Sequence, residues 1–186
     1  MIIGLTGMPG SGSNFVGDFL VEEKGFIWLS YSDILREELQ KEGKEITRKA
    51  MQDLGNEIRE RYGAGELSKR LINKMEGGKN YVVGTIRNPA EIEELRKRED
   101  FVMVHVFANQ KLRFNRVVAR NRESDPRNWE EFLALESKDG GVGEKESGLR
   151  IGDCIKMCDY TIVNESTLGD LKIKVEELLK TIETKT

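Results

Sequence analysis

Met1-Ile2-Ile3-Gly4-Leu5-Thr6, running straight into Gly7-Met8-Pro9-Gly10-Ser11-Gly12-Ser13-Asn14, is the stretch on which the fold turns. An apolar run of strand length gives way to a glycine-rich bend, after which Phe15, Val16, Phe19 and Leu20 mark one face of a helix. Glycines let the backbone wrap closely around a polyanion and aim successive N–H groups inward. The following helix adds its unpaired first-turn donors and the positive end of its dipole. Strand, loop and helix together predict a phosphate cradle made of Gly7, Met8, Pro9, Gly10, Ser11, Gly12, Ser13 and Asn14. A ligand-free turn would explain a lone pair of glycines, but not Gly7, Gly10 and Gly12 in this setting.

Two phosphate-binding patterns compete for that loop. The dinucleotide fingerprint Gly-x-Gly-x-x-Gly fails, because Gly10-Ser11-Gly12-Ser13-Asn14 is followed by Phe15. The nucleoside triphosphate loop Gly-x-x-x-x-Gly-Lys-Ser/Thr fits at Gly7 and Gly12 and then departs at its two chemical positions. Ser13 stands where a lysine would reach the outer phosphates, and Asn14 where a hydroxyl would bind magnesium. Loss of one preorganised donor costs about 2.7–4 kcal/mol of transition-state stabilisation. Binding through backbone N–H groups does not depend on these side chains.

Outward from the loop, short apolar runs at residues 1–6, 26–29, 81–85, 101–107 and 160–163 alternate with segments of helical period. That alternation predicts a three-layer α/β sandwich around a five-stranded parallel sheet. A length of 186 residues suits a single domain, residues 1–186. With 38% hydrophobic and 34% charged residues, wholesale disorder and a membrane-embedded chain are both excluded. A formal net charge of −3 gives no global attraction to nucleic acid or anionic lipid, so any basic site is local.

Cys154 and Cys158 are too few for a disulfide framework and suit a reducing compartment, and the N-terminus has no basic leader pattern. A cytoplasmic location is expected. Residues 31–78, mostly helical, and residues 122–150, with a short amphipathic helix around Trp129, Phe132, Leu133 and Leu135, exceed what a simple crossover needs. The second reads as a lid.

Further blocks share the order and spacing of a known family: Ser32-Asp33-Ile34-Leu35-Arg36-Glu37-Glu38, Leu54-Gly55-Asn56-Glu57-Ile58-Arg59, Ile86-Arg87-Asn88-Pro89-Ala90-Glu91 and Asp159-Tyr160-Thr161-Ile162-Val163-Asn164. Over nearly its whole length the chain resembles the small archaeal and bacterial P-loop kinases related to adenylate kinase and dephospho-CoA kinase. It is similar also to the kinase-like segment of some deoxycytidylate deaminases. The resemblance implies a nucleoside-monophosphate-binding arm at residues 31–78 and an arginine-bearing lid at 122–150. It implies ATP or another nucleoside triphosphate as cofactor, and transfer of the γ-phosphoryl group to a mononucleotide-like acceptor.

By the same resemblance Arg36 and Arg87 hold the acceptor phosphate, as planar guanidinium forks can. Asp33 either caps its helix or holds a sugar hydroxyl. Family members end the third strand with Asp-Gly, where this sequence has Gly84-Thr85, so a carboxylate that helps position magnesium or the acceptor is missing.

Lys111, Arg113, Arg116, Arg120 and Arg122 form a run without acids, with Arg113, Arg116 and Arg120 on one helical face. A solvated basic face would look the same, but its position beside the lid favours Arg116 and Arg120 as donor-phosphate ligands, with Arg87 completing the catalytic set. No metal site is expected from Cys154 and Cys158, which lack further ligands. His105 reads as a hydrogen-bonded core residue, Trp28 as packing at the sheet edge, and Gly55 as a point of close approach. Interleaved aromatic and basic residues for single-stranded nucleic acid are missing. Two functions fit: a kinase with weakened chemistry, or a catalytically silent nucleotide sensor or interaction module with a protein partner.

Overall fold

The computed structural model describes residues 1–122, 125–143, 145 and 147–184. Its strands β1 (Ile2–Thr6), β2 (Ile27–Ser30), β3 (Tyr81–Gly84), β4 (Phe101–Phe107) and β5 (Tyr160–Val163) form one parallel sheet in the order β2-β3-β1-β4-β5. All five residues of β1 are buried, because helices cover both faces and the central strand must be apolar on each. On one face, α1 (Ser13–Lys24) and α9 (Leu168–Glu183) set Val16, Phe19, Leu171 and Val175 on Ile3, Leu5, Val82 and Val104. On the other, α2 (Tyr31–Lys41), α3 (Arg48–Tyr62), α4 (Glu66–Ile72) and α5 (Pro89–Leu95) pack on Ile2, Tyr81, Val83 and Met103. The expected three-layer α/β sandwich is therefore the observed one.

Strand order places the site. From β1 the chain passes over β3 to reach β2, returns to β3, and then crosses to β4 on the far side of β1. The direction of winding reverses at β1, and a crevice opens beyond its carboxyl end where ligands of open α/β sheets bind. The glycine loop leaves β1 at that point.

Residues 31–78 are largely α2, α3 and α4, tied to α5 by a buried relay in which the Tyr31 hydroxyl meets Ser68 Oγ at 2.9 Å and Ser68 Oγ donates to the Glu91 carbonyl at 3.0 Å. The expected lid, residues 122–150, falls partly on Glu123, Ser124, Glu144 and Glu146, which lie outside the described residues. Its helix is α7 (Trp129–Gly140), whose Phe132 is fully buried and packs edge-on against Phe114 of α6 (Gln110–Arg120), whereas Leu133 faces solvent.

Helix α8 (Ile151–Lys156) ends before Cys158, so the two cysteines do not share a helix. Cys154 is in the core, and the Cys158 thiol donates to the Cys154 carbonyl at 3.3 Å. Burial pushes the Cys158 thiol up to about 12, consistent with packing rather than reactivity. His105 is buried in β4 and meets Phe107 edge-on at 6.0 Å; the expected hydrogen bond is not among its contacts within the described residues.

β3 stops one residue short of the apolar run because Thr85 leaves the extended region with φ +27°. A β-branched residue there is strained, and the strain persists because its neighbour is clamped to β1: Ile86 N–H donates to the Leu5 carbonyl at 2.8 Å, and Thr6 Oγ1 to the Ile86 carbonyl at 2.8 Å. Thr85→Gly should raise unfolding free energy by about 1 kcal/mol in urea titrations, the relief of backbone strain outweighing the added chain entropy. Unchanged or lowered stability would show that Thr85 carries no strain.

Candidate functional site

The loop of residues 7–12 is shaped by what its glycines leave out. Gly10 and Gly12 have φ +83° and +95°, the left-handed region that side chains avoid. A Cβ at Gly10 would lie 2.5 Å from the Arg113 carbonyl oxygen, and one at Gly12 only 2.3 Å from Asn164 Nδ2. Asn164, buried just past β5, uses that space to donate to the Ser11 carbonyl at 2.8 Å. Within the loop Ser11 N–H reaches the Met8 carbonyl at 3.0 Å, and Ser11 Oγ is buried with no partner. Gly12 is the N-cap of α1 and has no side chain to cap it. The first backbone bond runs from Val16 N–H to the Gly12 carbonyl at 3.2 Å, leaving the preceding first-turn donors for a ligand.

Of the two side chains that replace the motif's chemistry, Ser13 is buried and Asn14 exposed. The cations that reach the loop are guanidinium groups. Arg113 is itself buried, donates to the Ala108 carbonyl at 2.8 Å and the Pro9 carbonyl at 3.4 Å, and is ion-paired with Glu136 of α7. Gln110 Nε2 donates to the other Glu136 oxygen at 2.5 Å. Arg113 is thus internal scaffolding that locks α7 to the loop.

Arg116, one turn on, spans Gly10 O at 3.5 Å and Asn164 Oδ1 at 3.3 Å. Partial burial lowers its pKa somewhat, with Glu165 opposing. Arg120 points elsewhere, held by Asp125 through two bonds of 2.7 Å. The acid-free run therefore finds its counter-charges in other elements. Lys24, at the far end of α1, is paired with Glu176 at 2.5 Å.

Arg87 is exposed at the end of the β3–α5 connection. Its backbone is fastened on both sides: Arg87 N–H donates to Glu91 Oε2 at 3.3 Å, and Arg150 N–H to the Arg87 carbonyl at 2.7 Å. Asn88 caps α5 through Ala90 N–H at 2.9 Å and donates to the Gly148 carbonyl at 2.8 Å, joining this connection to the segment after α7.

Arg36 and Asp33 are both exposed and paired at 2.7 Å, and Asp33 also accepts from Ser30 Oγ, the N-cap of α2, at 2.8 Å. Arg59, which carries no role in the sequence reading, lies between α3 and α5. Its Nη2 is 3.4 Å from the buried Glu91 carboxylate, and its Nε is buried without a partner. Burial raises the Glu91 pKa, and Arg59 opposes the shift. Gly55 admits the side chains of Arg59 and Leu35, not a second backbone.

Trp28 is the other residue whose role the sequence hides. A Cβ on Gly17 would lie 1.9 Å from its Cζ3, and a Cβ on Gly84 2.1 Å from its Cζ2. The benzene half of the indole therefore fills the side-chain space of both glycines, between the second turn of α1 and the carboxyl end of β3. The ring packs from the edge strand β2, as expected, and reaches inward to β3 and α1.

A family model described as an AAA domain matches residues 6–132, more than half of the chain. The chain belongs to the AAA domain family. It is 38% identical over 183 residues to a UPF0200 protein of Sulfurisphaera tokodaii, covering 97% of each chain. It is 35% identical over 189 residues to a UPF0200 protein of Pyrococcus furiosus, covering 98% of this chain and 97% of that one. Among solved structures, shikimate kinase from Acinetobacter baumannii in complex with shikimate superposes with a TM-score of 0.57 at 19% identity, covering 100% of this chain and 94% of that one. Shikimate kinase from Aquifex aeolicus gives 0.53 at 18%, covering 100% and 98%. At such identities the likeness is one of fold, and that fold is the P-loop kinase-like, nucleotide-binding α/β sandwich.

The Trp28 contacts predict a specific coupling. Gly84→Ala should destabilise the protein by about 1–3 kcal/mol through overpacking against the indole, and most of that cost should vanish in a Trp28→Ala background. Additive costs in the double-mutant cycle would mean that the ring does not occupy the position 84 side-chain space.

Proposed function

We propose that this chain binds a nucleoside di- or triphosphate, ATP foremost, with its phosphates on residues 7–14, and that it works as a nucleotide sensor or interaction module, not as a fast kinase. The observation that carries this reading is the division of labour in the loop. Its backbone shape is built and buttressed by Gly10, Gly12, Asn164 and Arg116, while a buried hydroxymethyl at Ser13 stands where the phosphate-clamping ammonium belongs. Backbone donors suffice for binding, whereas fast phosphoryl transfer needs the missing charge. A mononucleotide-like second ligand would lie against Arg36 and Arg87, with Asp33 turned to Arg36 or to a sugar hydroxyl. Arg59 is paired with Glu91, which also accepts from the Arg87 amide.

A second reading, an ATP-dependent phosphotransferase related to adenylate kinase and dephospho-CoA kinase, is favoured by one feature. The Arg87 side chain is exposed and held by no protein group among the described residues, as a guanidinium awaiting an anion would be. In that reading the γ-phosphoryl group passes to an acceptor oxygen, ADP leaves, and Arg87 and Arg116 spread the charge, Arg120 being held by Asp125. The cytoplasm is the proposed location in both, supported by the free thiols of Cys154 and Cys158; no described helix is long and apolar enough to cross a membrane.

Coupled ADP-release assays over nucleoside monophosphates and dephospho-CoA separate the two. The native protein should show no turnover above background, and Ser13→Lys should bring activity up by about a hundredfold or more. Native turnover abolished by Arg87→Ala would establish the kinase instead. Calorimetric ADP binding should weaken about tenfold or more in Arg116→Ala, the loss of one charge-assisted contact. Unaltered affinity would remove Arg116 from the phosphate site.

A further inference from the structure

A P-loop of this kind ordinarily shares its phosphates with a magnesium ion, held by a hydroxyl at the position of Asn14 and by a carboxylate at the end of a neighbouring strand. The residues present do not fit that ion. The strands beside β1 end in Val83-Gly84-Thr85 and Val106-Phe107-Ala108, with no acid in either. The space a carboxylate at position 84 would enter is filled by the Trp28 ring, with 2.1 Å between Cζ2 and a Cβ at that position.

Three acids of the neighbouring connections are engaged. Glu91 is buried against Arg59 and the Arg87 amide, Glu165 accepts from Asn109 N–H at 2.8 Å, and Asp33 is paired with Arg36. Among the described residues no three His, Cys, Asp or Glu side chains come together as a metal site. Among the described residues, Arg116 reaches the Gly10 carbonyl at 3.5 Å and Arg87 is exposed on the β3–α5 connection, so guanidinium is available to balance phosphate charge.

Building on the nucleotide-binding reading, we propose that Trp28, seated between Gly17 and Gly84, closes the metal position of this loop, so that the nucleotide is bound as the metal-free anion by loop amides and arginine. Two glycine positions are matched to that design. Gly17 and Gly84 both yield their side-chain space to one ring, and position 14 carries an amide instead of the usual hydroxyl. Magnesium then competes with the protein for the phosphates. Free ADP, carrying more charge than its magnesium complex, is the better ligand.

Calorimetric titration of ADP into the full chain, once in EDTA and once in excess magnesium, tests this. Tighter binding in EDTA is expected. Equal affinity, or tightening by magnesium, overturns the proposal while leaving nucleotide binding intact. Absence of binding in both buffers overturns the nucleotide reading itself.

The variant Asn14→Ser/Trp28→Ala/Gly84→Asp, which vacates the ring and supplies both ligands, should bind ADP at least tenfold more tightly with magnesium than without. A folded triple variant indifferent to magnesium would show that the indole is not what bars the ion. If that variant does not fold, the native comparison decides alone.

Discussion

The amide of Asn164 reaches the carbonyl of Ser11 through a gap that exists because position 12 has no Cβ. On that contact the rest of the site depends. It ties the end of β5 to a loop emerging from β1, and Arg116 joins the same node from α6 by touching both Asn164 and Gly10. Three separate elements thus hold one bend in a left-handed conformation with its helix-end donors uncapped. The central parallel sheet, buried on both faces, is the rigid frame from which the bend is suspended.

Packing has taken the room that chemistry would use. In the crevice beside the loop, an indole occupies the side-chain volume of Gly17 and Gly84, a neutral hydroxymethyl replaces an ammonium, and the backbone after β3 keeps a positive φ at Thr85 even though a β-branched residue disfavours it. The conformation of the β3–α5 connection is retained by its clamps to β1, and Arg87 on it stays exposed. Recognition elements survive where they are backbone or arginine. The elements that would accelerate transfer do not.

Much of this was legible from the residues in order. Short apolar runs located all five strands, because a parallel sheet covered on both faces needs nearly unbroken hydrophobic stretches. The glycine loop announced itself by its spacing between strand and helix. What pattern could not supply was partnership across the fold. Arg113, Arg116 and Arg120 share a helical face, yet Arg113 is neutralised by Glu136 from α7 and Arg120 by Asp125, leaving Arg116 on the loop. The Arg59–Glu91 pair joins residues 32 apart. Trp28 packs at the sheet edge as its sequence position suggests, but its fit to two glycines on other elements is not in the pattern. A glycine in the second turn of a helix and another closing a strand were the available hints.

Loop amides form the phosphate cradle, and arginine adds charge beside them. Residue-resolved amide hydrogen exchange with and without ADP tests this directly. Nucleotide should slow exchange at the N–H groups of residues 10–15, at the loop and the first turn of α1. Slowing confined to other parts of the chain, with residues 10–15 unchanged while ADP is bound, would contradict it.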